Sequence, residues 1–301
     1  MSARLSWTDQ TESVPNEPAQ AVVSMGACPK EKGLEADKLF VDCGGYTHIG
    51  QRGHNQDNLL TAYTPEKLND GGRLFAVADG MGGHPGGDLA SRMACEGLNH
   101  YYEQQLHPNR NLTQLDVSRQ LAEAIVRVDR AIRLRGFSDS RLEDMGTTLS
   151  CLVLTDTHSV IAHVGDSRIY RLRKGHLSCL TVDHTFVQDM IFEGEVDPAQ
   201  AHLHPLRHML TRAVGTGEPL EFVDARVDDL KADDCFLLCT DGLYNAVDEN
   251  WIFDSLANQH SASDSATELI HRALKGGAGD NITAVVVKMH RVDDLCRNAK
   301  P

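Results

Sequence analysis

The chain reads Phe236-Leu237-Leu238-Cys239-Thr240-Asp241-Gly242, an apolar run that stops at an aspartate and a glycine. The same arrangement occurs at residues 74–80, where an apolar run stops at Asp79-Gly80. It occurs in reverse at residues 279–287, where Gly279-Asp280-Asn281 precedes a β-branched run. Short apolar runs bounded by turn residues predict buried strands. The sequence therefore predicts three buried strands, each with an aspartate beside one end.

An aspartate at the end of a buried strand is costly unless a positive charge neutralises it. Asp79, Asp241 and Asp280 lie about 160 and about 40 residues apart, so only the fold could bring them together. Hard divalent cations prefer carboxylate ligands, and we predict that the three aspartates converge on a metal centre. The alternative for each one is a cap on a turn or a helix, which Asp-Gly pairs commonly provide.

The composition excludes several classes of protein. The chain has 301 residues, is 41% hydrophobic and carries a formal net charge of −14, which argues against binding to nucleic acid or to anionic membranes. It contains no apolar run of about 18 residues, and its N-terminus lacks a secretory signal, so we predict a soluble, cytoplasmic protein. Cys235 and Cys239 lie in an apolar run without a second metal-binding pair, and we interpret them as core residues rather than zinc ligands.

The pattern along the chain predicts one folded domain at residues 39–291, between a disordered extension at residues 1–38 and a short tail at residues 292–301. Strands are predicted at residues 39–43, 58–63, 73–78, 148–154, 160–164, 169–172, 222–227, 235–239 and 282–289. Helices are predicted at residues 88–106, 115–135, 249–258 and 263–274, and a polar helical insertion at about 184–208. Because the helices come in consecutive pairs between groups of strands, we predict an α+β fold with antiparallel sheets.

Three further segments carry chemistry that the residues alone leave open. Arg52 precedes Asn55-Gln56-Asp57, and its guanidinium fits a phosphate dianion, but a surface Arg–Asp pair is the alternative. The glycine-rich loop at residues 80–87 lets the backbone approach a metal, and its His84 is either a proton donor or a solvated side chain. Asp166 is either a further metal ligand or a turn residue that pairs with Arg168.

Taken in order, these segments resemble the metal-dependent serine/threonine protein phosphatases of the protein phosphatase 2C (PP2C) family, and its bacterial branch in particular. The matching segments are Gly50-x-Arg52-x-x-Asn55-Gln56-Asp57, Asp79-Gly80-Met81-Gly82-Gly83-His84, Gly146-Thr147-Thr148-Leu149, Val164-Gly165-Asp166-Ser167-Arg168, Asp183-His184-Thr185, His204-Pro205, Leu210-Thr211-Arg212-Ala213-Val214-Gly215, Thr240-Asp241-Gly242-Leu243 and Gly279-Asp280-Asn281-Ile282-Thr283. The resemblance implies a central antiparallel β-sandwich flanked by pairs of helices. It also implies a metal site in a cleft at one end, and a flap formed by residues 184–208.

The resemblance implies separate roles for the metal-site residues. Asp79 bridges two Mn²⁺ or Mg²⁺ ions, Gly80 contributes its carbonyl oxygen, and Asp241 and Asp280 complete the shell of the first ion. Arg52 binds the substrate phosphate.

The resemblance also implies a third, weaker metal site at Asp166. Many members carry an aspartate where this chain has Asn245, and the missing charge should weaken that site further. Gln56, Asp57, Asn245 and Asn281 surround the ligands. Animal-type members have a histidine at the position of Met81, so His84 is the candidate acid here.

The implied function is hydrolysis of phosphoserine and phosphothreonine in phosphoproteins by a monomer that opposes a Ser/Thr kinase. A hydroxide bridging the two ions attacks phosphorus in one in-line step. The alternative is a catalytically weak relative that binds phosphoproteins or regulates a partner, which has no need of the intact Asp79, Asp241, Asp280 and Arg52. A phosphatase with an aspartyl nucleophile needs an Asp-x-Asp pair, which neither Asp-Gly segment supplies.

Overall fold

The computed structural model describes residues 21–25, 39–62, 72–81, 85–106 and 112–291. Its strands are β1 (Ala21–Met25), β2 (Leu39–His48), β3 (Asp57–Ala62), β4 (Arg73–Met81), β5 (Gly146–Thr147), β6 (Leu149–Leu154), β7 (His158–Val164), β8 (Arg168–Arg173), β9 (His176–Cys179), β10 (Asp224–Asp229), β11 (Cys235–Cys239) and β12 (Ile282–Arg291). Its α-helices are α1 (Pro85–Tyr101), α2 (Gln114–Phe137), α3 (Phe186–Phe192), α4 (Asp241–Tyr244), α5 (Glu249–Ala257) and α6 (Ala262–Lys275).

Within the described residues the strands form two antiparallel sheets. One sheet has the order β1-β2-β12-β11-β8-β9, and the other has the order β10-β7-β6-β4-β3 with β5 added beside β4. Helices α1 and α2 pack on the outer face of the second sheet, and α5 and α6 on the outer face of the first. The predicted α+β fold with a central antiparallel sandwich between pairs of helices is therefore confirmed.

The strands at the centre of each sheet are apolar on both faces because each sheet lies between its helices and the other sheet. In β11, Phe236 and Leu238 face the opposite sheet, whereas Cys235, Leu237 and Cys239 face the helices. All five side chains are buried. Double-sided burial replaces the usual alternation of apolar and polar residues with a continuous apolar run. The two cysteines are core residues, as predicted, and burial raises the pKa of Cys235 to about 12.

Several parts of the fold differ from the sequence prediction. Residues 21–25, inside the predicted extension, form β1, which pairs with β2; the rest of that extension and the tail at residues 292–301 lie outside the described residues. Strand β9 was not predicted, because its side chains are largely exposed and give little apolar signal. The insertion predicted to be helical is helical only at α3 and at a 3₁₀ segment, Pro198–Leu203.

Helix α6 approaches β2 closely at a glycine. The backbone N–H of Ala262 donates to the Asp42 carboxylate at 2.7 Å, which anchors the first turn of α6 on the strand. A Cβ at Gly44 would overlap the backbone of Ser263 in that turn. Only glycine permits this contact without separating the helix from the sheet.

We expect Gly44→Ala to lower the free energy of unfolding by about 1–3 kcal/mol, the usual cost of overpacking. Urea unfolding of the full chain measures the difference. Gly53→Ala is the matched control, since a Cβ there meets nothing within 4 Å. Equal stability of the two variants would contradict the close contact.

No helix among the described residues combines the length and apolar character needed to cross a bilayer.

Candidate active site

An acidic cleft of about 1180 Å³ opens at one end of the sandwich. Strand pairing explains its position: Asp57 at the start of β3 lies opposite Asp79 near the end of β4, and Ile282 at the start of β12 lies opposite His48. The cleft is lined by acidic side chains from five segments, namely Asp79, Asp88, Asp166, Asp241 and Asp280. The three aspartates predicted to converge thus border one cleft, together with Asp88 and Asp166.

Asp79 is held rigidly from its backbone. Its N–H donates to Thr148 Oγ1 at 3.0 Å, and its carbonyl accepts from Thr148 N and from Thr147 Oγ1, both at 2.9 Å. Burial, followed by the nearby carboxylates of Asp57 and Asp241, raises the pKa of Asp79 well above its usual value. An ionised carboxylate here requires a compensating positive charge.

Gly80 lies where two backbone segments meet. Its N–H donates to the Gln56 carbonyl at 3.1 Å, and a Cβ at this position would overlap the backbone of Gly87. A glycine is required because the start of α1 lies directly against the end of β4. Its backbone is thereby held beside the Asp79 carboxylate.

Asp57 lies buried beneath the cleft. One carboxylate oxygen accepts from Thr240 at 2.8 Å and from Thr283 at 2.7 Å, while its Oδ1 is buried without a hydrogen-bond partner. Burial raises the pKa of Asp57 to about 7 despite the two threonine hydroxyls. Asp57 does not pair with the nearby Arg52, because its partners are the two threonines.

Asp241 begins α4, directly after β11. Its Oδ2 accepts from Asn245 Nδ2 at 3.2 Å and lies 3.5 Å from His208 Nδ1, while its Oδ1 is buried without a partner. The hydrogen bond to Asp241 raises the pKa of His208. One oxygen of Asp241 is thus free to accept a further positive group.

Asp280 is oriented by the residue that follows it. Its Oδ1 accepts from the backbone N–H of Asn281 at 2.8 Å. The Asn281 side chain donates to the carbonyls of Ile49 and His54 and accepts from the N–H of Gln56. Asn281 therefore ties the loop at residues 49–56 to the strand end that carries Asp280.

Arg52 reaches across the cleft to Asp280, with Nη2 2.6 Å from Oδ2. The pair matches the alternative of a surface Arg–Asp contact, although the partner is Asp280. The two side chains are 57% and 38% exposed. Exposed ion pairs contribute only about 0–1 kcal/mol, so a bound anion competes easily for this guanidinium.

Asp166 lies in the turn between β7 and β8 and is almost fully buried. Burial, with a contribution from Asp241, raises its pKa to about 8. The alternative of an Asp166–Arg168 pair is wrong, because Arg168 forms its ion pair with Asp183 at 2.7 Å. Asp166 instead belongs to the group of carboxylates at the cleft.

These residues fit a hard divalent cation. The cleft combines buried carboxylates of raised pKa with the unpartnered Oδ1 of Asp241, and the unpartnered Oδ1 of Asp57 lies buried outside its lining. Among the described residues no three Asp, Glu, His or Cys side chains already surround one point. Mg²⁺ and similar ions typically take one or two carboxylates and complete their shells with water, so the set remains suitable.

The sequence analysis did not identify the roles of several residues of the site. Thr147 and Thr148 belong to one of the matching motifs, but the sequence assigns them no role. For Thr240, the available signal was a polar residue at the end of an apolar run. Nothing in the sequence pointed to His208, which enters the cleft from the insertion. His84, the candidate acid, lies outside the described residues.

Residues 44–283 match the family model described as protein phosphatase 2C. The chain belongs to the protein phosphatase 2C family. It is 37% identical over 228 residues to serine/threonine protein phosphatase PstP of Mycobacterium tuberculosis, a match covering 76% of this chain but only 42% of that protein. The chain therefore spans less than half of that relative. It is 36% identical to serine/threonine phosphatase Stp of Listeria monocytogenes, covering 79% of this chain and 91% of the relative.

Solved structures agree with this family assignment. The crystal structure of the M. tuberculosis phosphatase PstP/Ppp superposes with a TM-score of 0.73 at 34% identity, covering 83% of this chain and 99% of that one. The PstP catalytic domain in complex with two manganese ions has a TM-score of 0.71 at 32% identity, covering 84% and 99%. The predicted membership of the protein phosphatase 2C family is confirmed.

Proposed function

We propose that the chain is a metal-dependent protein phosphatase that hydrolyses phosphoserine and phosphothreonine in proteins. The observation that carries this proposal is the cleft itself, where buried carboxylates of raised pKa lie beside an exposed arginine. The carboxylates suit cations, and the arginine suits the phosphate that those cations also attract. The relatives named as serine/threonine phosphatases support the same reaction.

The residues suggest a division of labour at the metal site. When bound, two Mn²⁺ or Mg²⁺ ions polarise phosphoryl oxygens and lower the pKa of water. We assign the bridging carboxylate to Asp79, a carbonyl ligand to Gly80, and the remaining protein ligands of the first ion to Asp241 and Asp280. Asp166 is assigned to a third, weaker site, where the neutral Asn245 adds no charge.

The chain's own groups orient the substrate. Arg52 exchanges its weak pairing with Asp280 for two parallel hydrogen bonds to the phosphate, which are stronger because both partners are charged. Thr147 and Thr148 hold the Asp79 backbone in place, so that the carboxylate needs no reorganisation during the reaction. His84 remains the predicted donor of a proton to the leaving alkoxide.

Hydrolysis of a phosphothreonine peptide, with and without Mn²⁺, tests the proposal. We expect phosphate release that requires the metal and that stops on addition of EDTA. A folded protein that releases no phosphate from phosphopeptides with either Mn²⁺ or Mg²⁺ would contradict the proposed activity.

We also propose that the protein acts as a monomer in the cytoplasm on phosphoproteins made by a Ser/Thr kinase. Protein kinases consume ATP, which is an intracellular nucleotide, and this supports a cytoplasmic location for the phosphatase. Light scattering of the purified protein tests the monomer, and a dimer would contradict it.

We expect Arg52→Ala to raise KM for a phosphopeptide by about tenfold or more, with a smaller change in kcat. A hydrogen bond between charged groups contributes roughly 1.5–3 kcal/mol, and much of this one forms on substrate binding. Steady-state kinetics at saturating Mn²⁺ measures both constants. Arg119→Ala is the matched control, since Arg119 is also an exposed arginine paired with an aspartate but lies on α2. An unchanged KM in Arg52→Ala would remove Arg52 from phosphate binding.

A further inference from the structure

The turn that carries Asp166 is held on one side by His184. Gly165 has a φ of +110°, and a Cβ there would lie 2.6 Å from the Thr148 side chain. Its N–H donates to His184 Nδ1 at 3.0 Å, and its carbonyl accepts from His184 N at 2.8 Å. The histidine thus holds both polar groups of the residue that precedes Asp166.

The other side of the same turn is held by Asp183, the neighbour of His184. Arg168 donates from Nε and Nη2 to the two oxygens of Asp183, at 3.0 and 2.7 Å. The Arg168 guanidinium also lies 3.8 Å from the centre of the Tyr244 ring, and the Tyr244 hydroxyl donates to the Asp166 carbonyl at 3.0 Å. Two adjacent residues therefore hold the turn from both ends.

His184 is also connected in the opposite direction. Its Nε2 lies 3.1 Å from Asp224 Oδ2, and Arg212 donates to the other oxygen of Asp224 at 3.0 Å. Because Nδ1 accepts from Gly165, the proton of the neutral ring is on Nε2 and points to Asp224. Burial lowers the pKa of His184, which favours this neutral form.

These contacts lie where the insertion, residues 184–208, joins the sandwich. Phe186 N donates to the Met209 carbonyl and Thr211 N to the His184 carbonyl, each at 2.9 Å, so the two ends of the insertion are closed together. Within α3, Val187 is the buried residue. With so little apolar burial of its own, the insertion is oriented mainly by its two ends.

We propose that Asp183 and His184 are positioning residues that link the orientation of the insertion to the position of Asp166 in the cleft. The link follows from covalent continuity, since the residues that begin the insertion are those that hold the turn. A displacement of the insertion, such as one caused by contact with a bound phosphoprotein, therefore moves the Asp166 turn. The consequence for catalysis rests on the proposed function, whereas the mechanical link does not.

Two substitutions separate the hydrogen bonds of His184. His184→Asn keeps an acceptor for the Gly165 N–H, and His184→Gln keeps a donor for Asp224. The matched control is His158→Gln, at the opposite end of β7. Hydrogen–deuterium exchange of the metal-free full chain reports on residues 160–168 directly, and calorimetric titration with Mn²⁺ reports on the metal sites.

We expect His184→Gln to speed exchange in residues 160–168 about tenfold and to weaken the weakest Mn²⁺ site by a similar factor. His184→Asn should stay within about threefold of the wild type in both measurements. His158→Gln should not change the exchange rates of the turn. If His184→Gln does not fold, Asp183→Asn provides the same test from the Arg168 side.

Equal exchange of residues 160–168 in wild type and in folded His184→Gln would overturn the proposal. So would faster exchange spread evenly over the whole domain, which indicates a loss of global stability instead. The exchange experiment needs neither metal nor substrate. Its failure is therefore distinguishable from a failure of the proposed activity, which only phosphopeptide hydrolysis by the wild type decides.

Discussion

Asp241→Asn should lower kcat for phosphopeptide hydrolysis by about 10³-fold. Asn has the same shape and keeps an acceptor for Asn245, but it lacks the charge that would hold a cation. Removing a single electrostatic group that acts at the transition state typically costs about 10²–10³ in rate, and a metal ligand should lie at the upper end. Turnover at saturating Mn²⁺, together with calorimetric Mn²⁺ binding, measures the loss.

The loss of activity should come without loss of the fold. The buried Oδ1 of Asp241 has no partner in the protein, so the amide variant should be at least as stable as the wild type in EDTA. Asp248→Asn is the control, because Asp248 caps α5 on the surface and asparagine caps helices equally well. A fully active Asp241→Asn protein would remove Asp241 from the metal site.

The metal-free protein should lose stability as the pH rises from 6.5 to 8, and Mn²⁺ should restore it. The pKa values of Asp57 and Asp166 in the folded protein, about 7 and about 8, lie above that of an unfolded aspartate, about 3.9. The folded state therefore binds protons that the unfolded state has released. The free energy of unfolding then decreases with pH until both carboxyl groups are ionised.

The pH window is chosen to limit the contribution of the buried histidines. Burial lowers the pKa of His163 to about 3 and also lowers the pKa of His184, so their contributions rise with pH mainly below the unfolded value of about 6.5. The free energy of unfolding, measured with urea in EDTA, should fall by roughly 1–3 kcal/mol between pH 6.5 and 8. Mn²⁺ at a hundred times its Kd should raise the free energy of unfolding by about 2.7 kcal/mol at pH 7.5.

Asp57→Asn provides the internal control for this experiment. The substitution removes one carboxyl group that ionises in this pH window and leaves the others in place. The free energy of unfolding of the variant should therefore fall less steeply with pH. A wild-type protein whose stability in EDTA rises from pH 6.5 to 8 and does not respond to Mn²⁺ would contradict the argument that the buried carboxylates require a cation.

Much of the architecture was predictable because strands buried on both faces leave an unmistakable pattern. The apolar run of β11 was predicted at its observed residues, 235–239, and α2 was predicted at residues 115–135 against the observed Gln114–Phe137. Strand β9 and the strand at residues 21–25 escaped prediction. A largely exposed strand is defined by hydrogen bonds to a partner, which a local pattern does not contain.

The site was predictable in its residue types but not in its contacts. Aspartates at the ends of buried strands indicated a metal centre, because the free-energy cost of burying an unpaired carboxylate requires a compensating positive charge. The pairing of Arg52 with Asp280 rather than Asp57, and the entry of His208 from the insertion, were not foreseen. These partners are more than thirty residues apart in sequence, and only the packing of separate segments makes them neighbours.

The sequence by itself determined the fold class, the family and the aspartates that end the buried strands. Each depends on local patterns, namely apolar runs, turn residues and ordered motifs. Only the tertiary structure decided that Asp57 lies buried under Thr240 and Thr283, and that Asp183 and His184 hold the Asp166 turn. The physical reason is that burial and hydrogen bonding between distant segments follow from strand register and layer packing.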